Sequence, residues 1–241
     1  MCSRFSFLCP AALAAVVIIP GPGSETMASG AETGPRINQW EPEIAAFEAA
    51  DKTNPPPQNA ILFIGSSSIR MWPGLQQAFP GHKVFKRGFG GSELSDSVAF
   101  AGRIVLPYRP KMILMYAGDN DIANGKTPER ILGDFKAFVQ KVHAALPQCR
   151  IAYIAVKPCP ARKQFLPKVK STNRLIRDYT AADGTLEFID ICAPMLNPDG
   201  SLRPELFVQD GLHMNAKGYA LWESIIRPEL DKYDPPASES K

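Results

Sequence analysis

Short apolar runs alternate with longer amphipathic stretches along most of this chain. Residues 60–64, 112–117, 151–156 and 186–191 are nearly continuous in apolar side chains, and a shorter run lies at 83–85. Strands covered by helices on both faces lack the polar alternation of a half-exposed sheet, so these runs predict buried parallel strands. The stretches between them read as helices. Thr127-Pro128-Glu129 offers a capping hydroxyl, a proline suited to the first helical position and an acid at the positive end of the dipole. Ile131, Phe135, Phe138, Val142 and Ala145 then recur at three- and four-residue steps as one apolar stripe, and Pro147 ends it. Residues 167–179 and 215–226 behave alike, with Tyr219, Trp222 and Ile226 on the buried side of the second. Ahead of the first strand, Trp40, Ile44 and Phe47 mark one more helix, closed by Asp51-Lys52 and Pro55-Pro56-Pro57. Five strands alternating with helices predict an α/β fold: a three-layer α/β/α sandwich on a five-stranded parallel sheet with right-handed crossovers. Chemistry in such sheets gathers at the carboxyl ends of the strands.

Composition adds boundaries. A chain of 241 residues, 45% hydrophobic, supports one well-cored domain, placed at residues 35–235 and followed by a short disordered tail at 236–241. The excess of 27 basic over 24 acidic residues is mild and spread out, and no basic run is interleaved with aromatics, so nucleic acid is not an expected partner. Residues 1–34 differ from the rest. Arg4, an apolar stretch and then Ala28-Ser29-Gly30-Ala31 resemble a secretory signal peptide with cleavage after Ala31, which implies a secreted or periplasmic protein. The alternative is a start at Met27 and a cytoplasmic protein. The stretch falls short of the ~20 residues that span a bilayer and is broken by Pro10, so no stable membrane insertion is expected. Cys149, Cys159 and Cys192 lack metal-ligand spacing and are read as buried free thiols, with a Cys159–Cys192 disulfide open to an exported chain.

Four segments at strand ends hold residues with chemistry. Gly65-Ser66-Ser67-Ser68-Ile69-Arg70 joins a glycine turn to hydroxyls where a helix begins; a helix cap and a nucleophile are both open readings, and the Gly-x-Ser-x-Gly elbow is absent. Arg87-Gly88-Phe89-Gly90-Gly91-Ser92 fits a tight turn, an ordinary loop or a phosphate loop, but matches neither dinucleotide nor Walker spacing. Gly118-Asp119-Asn120-Asp121 reads as a polar turn, a cation site, or a place where the Asn120 amide holds an oxyanion. In the last reading, Asp119 and Asp121 are expected to turn aside and cap backbone N–H groups of their loop. Finally, Asp210-Gly211-Leu212-His213 precedes a helix, and its spacing lets the carboxylate reach His213 Nδ1 and leave Nε2 as a base. His82 falls in a polar turn and His143 lacks an acid one helical turn away, so His213 alone is expected to have a well-placed partner.

Taken in this order, the four segments resemble the SGNH/GDSL hydrolases over residues 58–231. The Gly-Ser-Ser-Ser-Ile-Arg-x-Trp variant is similar to a bacterial subgroup of GDSL-like acylhydrolases. The resemblance implies a flavodoxin-like fold and a serine esterase acting on small-molecule esters, with no metal or organic cofactor. It assigns Ser67 as nucleophile, His213 as base and Asp210 as its orienting acid, and gives the oxyanion hole to Ser67 N, Gly91 N and the Asn120 amide. Two positions depart from the family pattern. Ser66 replaces the usual aspartate, and Lys86 stands where an asparagine often opens the second motif. Short acyl esters, including acetyl-saccharides, are favoured because no long lid insertion is present. Acyl transfer through the same triad and a catalytically silent carbohydrate- or lipid-binding module are the alternatives.

Overall fold

The computed structural model describes residue 1 and residues 37–235; the leader and tail readings lie outside those residues. Five parallel strands, β1 (Ile61–Gly65), β2 (Val84–Gly88), β3 (Met112–Tyr116), β4 (Arg150–Ile154) and β5 (Leu186–Ile189), form one sheet in the order β2-β1-β3-β4-β5. Pairing runs from Ile61 opposite Val84 and Met112, through Met112 opposite Arg150, to Ile151 opposite Leu186. This order reverses direction between β1 and β3, which opens a crevice at their carboxyl ends.

Helices cover both faces. On one, α1 (Ile37–Thr53), α4 (Leu94–Ile104), α6 (Pro128–Ala145) and α7 (Leu166–Thr180) pack side by side. Their apolar stripes meet the strands through contacts such as Phe135 on Tyr153, with ring centroids 4.9 Å apart. The other face is covered by the short α2 (Ser67–Arg70) and α3 (Leu75–Ala78) and by the long α8 (Ala216–Tyr233). There Trp72 packs against Phe63, Phe79, Tyr219 and Trp222, and Trp222 also meets Tyr116. A short helix after β3 completes the set as α5 (Asp119–Ala123).

Three expectations are corrected. Strand β2 runs to Gly88 rather than stopping at residue 85, because its polar side chains are satisfied: Arg87 pairs with Asp51 and Tyr108, and Lys86 donates to two carbonyls. Helix α8 passes residue 226 and Pro228 to reach Tyr233, where Leu230 is buried and Asp231 and Asp234 find cationic or imidazole partners. His213 is not alone in having well-placed acids, because His82 has them too. His82 is buried, with Asp231 2.9 Å from Nε2 and Asp234 3.1 Å from Nδ1, so a remote stretch of chain supplies the acids its neighbours lack. Cys149, Cys159 and Cys192 are buried free thiols, and the Cys159–Cys192 bridge does not form. Burial pushes all three thiols up, to about 12 at Cys149 and about 11 at Cys192, which leaves little of the thiolate that oxidation needs.

Helix α1 is fastened to α4 by Arg103, which reaches Glu41 at 2.7 and 2.9 Å and Glu48 at 2.6 and 2.7 Å, all partly exposed. Its Trp40 is buried against Phe89 and donates to Asp96 at 3.0 Å. No helix among the described residues is long and apolar enough to cross a membrane.

Candidate active site

Strand β1 delivers its last residue into a turn that only glycine can make. Gly65 has φ +143°, and a Cβ there would lie 1.8 Å from the Tyr116 carbonyl oxygen. Ser66 N then donates to that same oxygen at 3.1 Å, and α2 starts at Ser67. Strand β2 passes equally close: a Cβ on Gly88 would sit 2.3 Å from Arg70 N. Lys86 Nζ completes this support by donating to Arg70 O at 2.9 Å and Trp72 O at 2.6 Å, carbonyls left open where α2 ends. Of the three consecutive serines, Ser66 and Ser68 are buried, while Ser67 keeps part of its surface.

The chain brings His213 to Ser67. Its Nε2 lies 3.2 Å from Ser67 Oγ, and its Nδ1 lies 2.6 Å from Asp210 Oδ2. The other Asp210 oxygen accepts from Leu212 N at 2.8 Å and His213 N at 2.9 Å, so the short loop fixes the carboxylate on both sides. The His213 hydrogen bond, then these backbone donors, hold the Asp210 carboxyl down at about 2. The loop itself is anchored by Val208 N on His213 O at 2.9 Å and by Asn215, which caps α8 through Lys217 N and Gly218 N. Tyr219 on α8 reaches back to Ser68 O at 3.0 Å, so the base and the serine share one support.

Asn120 lies in the first turn of α5, across the crevice. Its Nδ2 donates to Ser92 O at 3.0 Å, and its Oδ1 accepts from Arg162 Nη2 at 3.0 Å. One N–H of the amide is thereby spent and one is left. The flanking carboxylates do cap backbone N–H groups, Asp119 that of Asn120 at 3.0 Å and Asp121 that of Leu94 at 3.2 Å. The Leu94 contact lies at the start of α4 rather than in their own loop, however, and each acid is also bound to a buried lysine. Lys157 meets Asp119 at 2.7 Å and Tyr116 OH at 3.0 Å. Lys126 meets Asp121 at 2.9 Å, Asp134 at 2.8 Å and Glu93 at 3.0 Å. Burial opposes the Asp119 charge, but Lys157 outweighs it and keeps the carboxyl below the usual range. At Asp121 burial wins over Lys126, and the carboxyl is raised to about 6.

Neither lysine, nor Arg162, was readable as part of this site. Lys157 carried one signal, a charge immediately after the apolar run of β4, where a sheet's carboxyl ends face the crevice. Arg162 gave none, since Asn120 and Asp119 lie in another segment, and Lys126 gave none because nearby Asp121 and Asp134 read as an ordinary polar turn and helix face until the fold buries them with Glu93.

The chain matches the GDSL-like Lipase/Acylhydrolase family over residues 64–221, a span that contains every residue of this site. It belongs to that family. The GDSL-like chain is therefore an acylhydrolase-class hydrolase, and its fold is the α/β sandwich seen in solved members. Among curated proteins it is 26% identical over 175 residues to the platelet-activating factor acetylhydrolase IB subunit alpha1 of Bos taurus, covering 70% of this chain and 73% of that one. A GDSL-like lipase from Bacteroides thetaiotaomicron superposes with a TM-score of 0.69 at 20% identity, covering 79% of this chain and 98% of the other. A catalytic mutant of an acetylxylan esterase from Geobacillus stearothermophilus gives 0.59 at 15% identity, covering 72% and 95%. At these identities the two structures speak for the fold alone.

Proposed function

We propose that this GDSL-family hydrolase cleaves short-chain carboxylic esters, acetyl groups on saccharides among them, through an acyl-enzyme on Ser67. The observation that carries the reading is the unbroken relay from Asp210 through His213 to the one serine of three that keeps its surface. Neutral His213 takes the Ser67 proton at Nε2 as Oγ attacks the ester carbonyl, and Asp210 stabilises the imidazolium. Ser67 N, Gly91 N and the remaining Asn120 N–H receive the oxyanion. His213 returns the proton to the leaving alcohol. Water then attacks the acyl-serine with His213 again as base, releasing the acid and restoring Ser67.

Short acyl groups are favoured by the surface around the relay. Apart from Met1, the large apolar side chains that stand exposed among the described residues are Met71 and Val208, which follow α2 and precede Asp210 respectively. A long acyl chain gains about 0.8 kcal/mol per buried CH₂ and needs a continuous apolar groove to do so, which two exposed side chains do not make. The names of the bovine acetylhydrolase and the bacterial acetylxylan esterase support the same choice. The test is a panel of p-nitrophenyl esters from acetate to palmitate run beside acetylated saccharides. Acetate and butyrate should be the best nitrophenyl substrates, and Ser67→Ala should abolish turnover while its circular dichroism stays native. Preference for palmitate, or a fluorophosphonate adduct on Ser66 or Ser68, would overturn the proposal.

A further inference from the structure

The Asn120 side chain has two N–H donors and one carbonyl acceptor, and either face of the amide fits the same space when turned over. What decides its orientation is the chemistry of its neighbours. A guanidinium only donates, so Arg162 Nη2 at 3.0 Å must face Oδ1; a backbone carbonyl only accepts, so Ser92 O at 3.0 Å must face Nδ2. Reversing the amide would set donor against donor and acceptor against acceptor. With both partners in place, one N–H is left, and its direction is fixed. The charge on Arg162 also draws electron density toward Oδ1, which strengthens that N–H as a donor.

Arg162 is badly placed to serve simply as the counter-ion of Asp119. Its Nη1 stands 3.6 Å from Asp119 Oδ2, an oxygen that Lys157 already holds at 2.7 Å. That Nη1 is buried and makes no hydrogen bond among the described residues. The closest bond of the guanidinium goes instead to a neutral amide. Its backbone is seated on the loop that carries the base. Ala161 N donates to Gly211 O at 3.0 Å, Arg162 N donates to Cys159 O at 3.1 Å, and Gly211 lies against Pro160 so closely that a Cβ there would sit 3.2 Å from the proline Cβ. Gly211 stands between Asp210 and His213 in the chain.

We propose that Arg162 is a positioning residue: it locks the Asn120 amide with an N–H toward the oxyanion and references that donor to the Asp210–His213 loop. This rests on the esterase reading above. Arg162 acts through Asn120 and touches no reacting atom.

The experiment is steady-state kinetics of p-nitrophenyl acetate with the full chain, for Arg162→Met, Arg162→Lys, Asn120→Ala and the double variant Arg162→Met/Asn120→Ala, each checked for native circular dichroism. Losing an oxyanion donor lowers kcat by ~10²–10³-fold, so Asn120→Ala should fall in that range. Arg162→Met should lower kcat by about tenfold or more with KM nearly unchanged, and should add nothing in the Asn120→Ala background, since the two act as one unit. If Arg162→Met does not fold, Arg162→Lys keeps the charge but loses the planar fork, and should show the same kcat loss. An Arg162 effect of equal size with and without Asn120 would overturn the proposal. So would an effect confined to KM, which would make Arg162 a substrate contact. Ser67→Ala, run alongside, separates the two levels: its retaining activity would remove the esterase reading, whereas its inactivity beside a fully active Arg162→Met would remove only the inference about Arg162.

Discussion

Three serines follow β1 in a row, and burial tells them apart where the sequence could not. Ser66 occupies the place of the family's usual aspartate, yet its hydroxyl is fully buried and makes no hydrogen bond among the described residues. A buried hydroxyl without a partner costs about 1–3 kcal/mol, and removing it relieves that cost. Ser66→Ala should therefore keep esterase activity within a few-fold of wild type and leave the thermal midpoint unchanged or raised. A fall of several degrees would mean that the hydroxyl has a partner, such as an ordered water. Asp210 is the contrasting case. It sits in a half-open loop, but three hydrogen bonds hold it down at about 2. It stays charged through any pH at which the protein is assayed, and an acid limb of activity at higher pH belongs to another group.

Among the elements, the two loops that flank the crevice are fastened by charge rather than by apolar packing. Lys126, after α5, draws in Glu93 and Asp121, while Asn124 donates to Glu93 at 2.5 Å and Asn120 to Ser92. Burial disfavours the Lys126 ammonium, but its carboxylates outweigh that and hold it well above its ordinary value. The cost falls on Asp121, raised from 3.8 to about 6 by desolvation. The sign of the consequence follows from linkage. A carboxyl with a folded value above its unfolded one binds more protons in the folded state between about 4 and 6, so its contribution to stability falls as pH rises through that window. Wild type should thus gain on Asp121→Asn as pH falls from about 6.5 to about 4, with no further gain below. A stability difference that is flat across this range in urea titrations would contradict it. The strands, α6, α7 and the catalytic loop were legible because each is written in local pattern: apolar runs, a capping Thr-Pro-Glu, an acid three residues from a histidine. Arg162 and the His82 carboxylates were not, because their partners lie in segments that only the fold brings together, and Lys126 was not, because its burial with Asp121, Asp134 and Glu93 is set by the fold. The end of β2 was hidden for a related reason, its Lys86 and Arg87 looking like loop residues until their acceptors are known.

Across the whole molecule, the sheet's reversal between β1 and β3 puts Ser67 and Asn120 on either side of one crevice, and α8 brings its support to both Ser68 and His82. The charges gathered around Lys126 and Lys157 on the Asn120 side of the crevice are buried. Those that hold α1 are not: Arg103, Glu41 and Glu48 each expose about a third or more of their side chains. Dissolved ions screen exposed pairs strongly and buried ones little, with a Debye length that shrinks from about 10 Å at 0.1 M to about 3 Å at 1 M. Yet α1 also supplies Trp40, whose ring would lie 3.5 Å from a Cβ on Gly91 and so forms the wall behind that residue. Ionic strength therefore has a route to the crevice from its far side. In concentrated sodium chloride, amide hydrogen exchange should quicken over residues 37–53 while residues 119–126 keep their protection. Equal quickening in both would show that the buried charges are screened as readily as the exposed ones. If the two separate as expected, a saline habitat would loosen the back of this enzyme long before it disturbed the lysines at its centre.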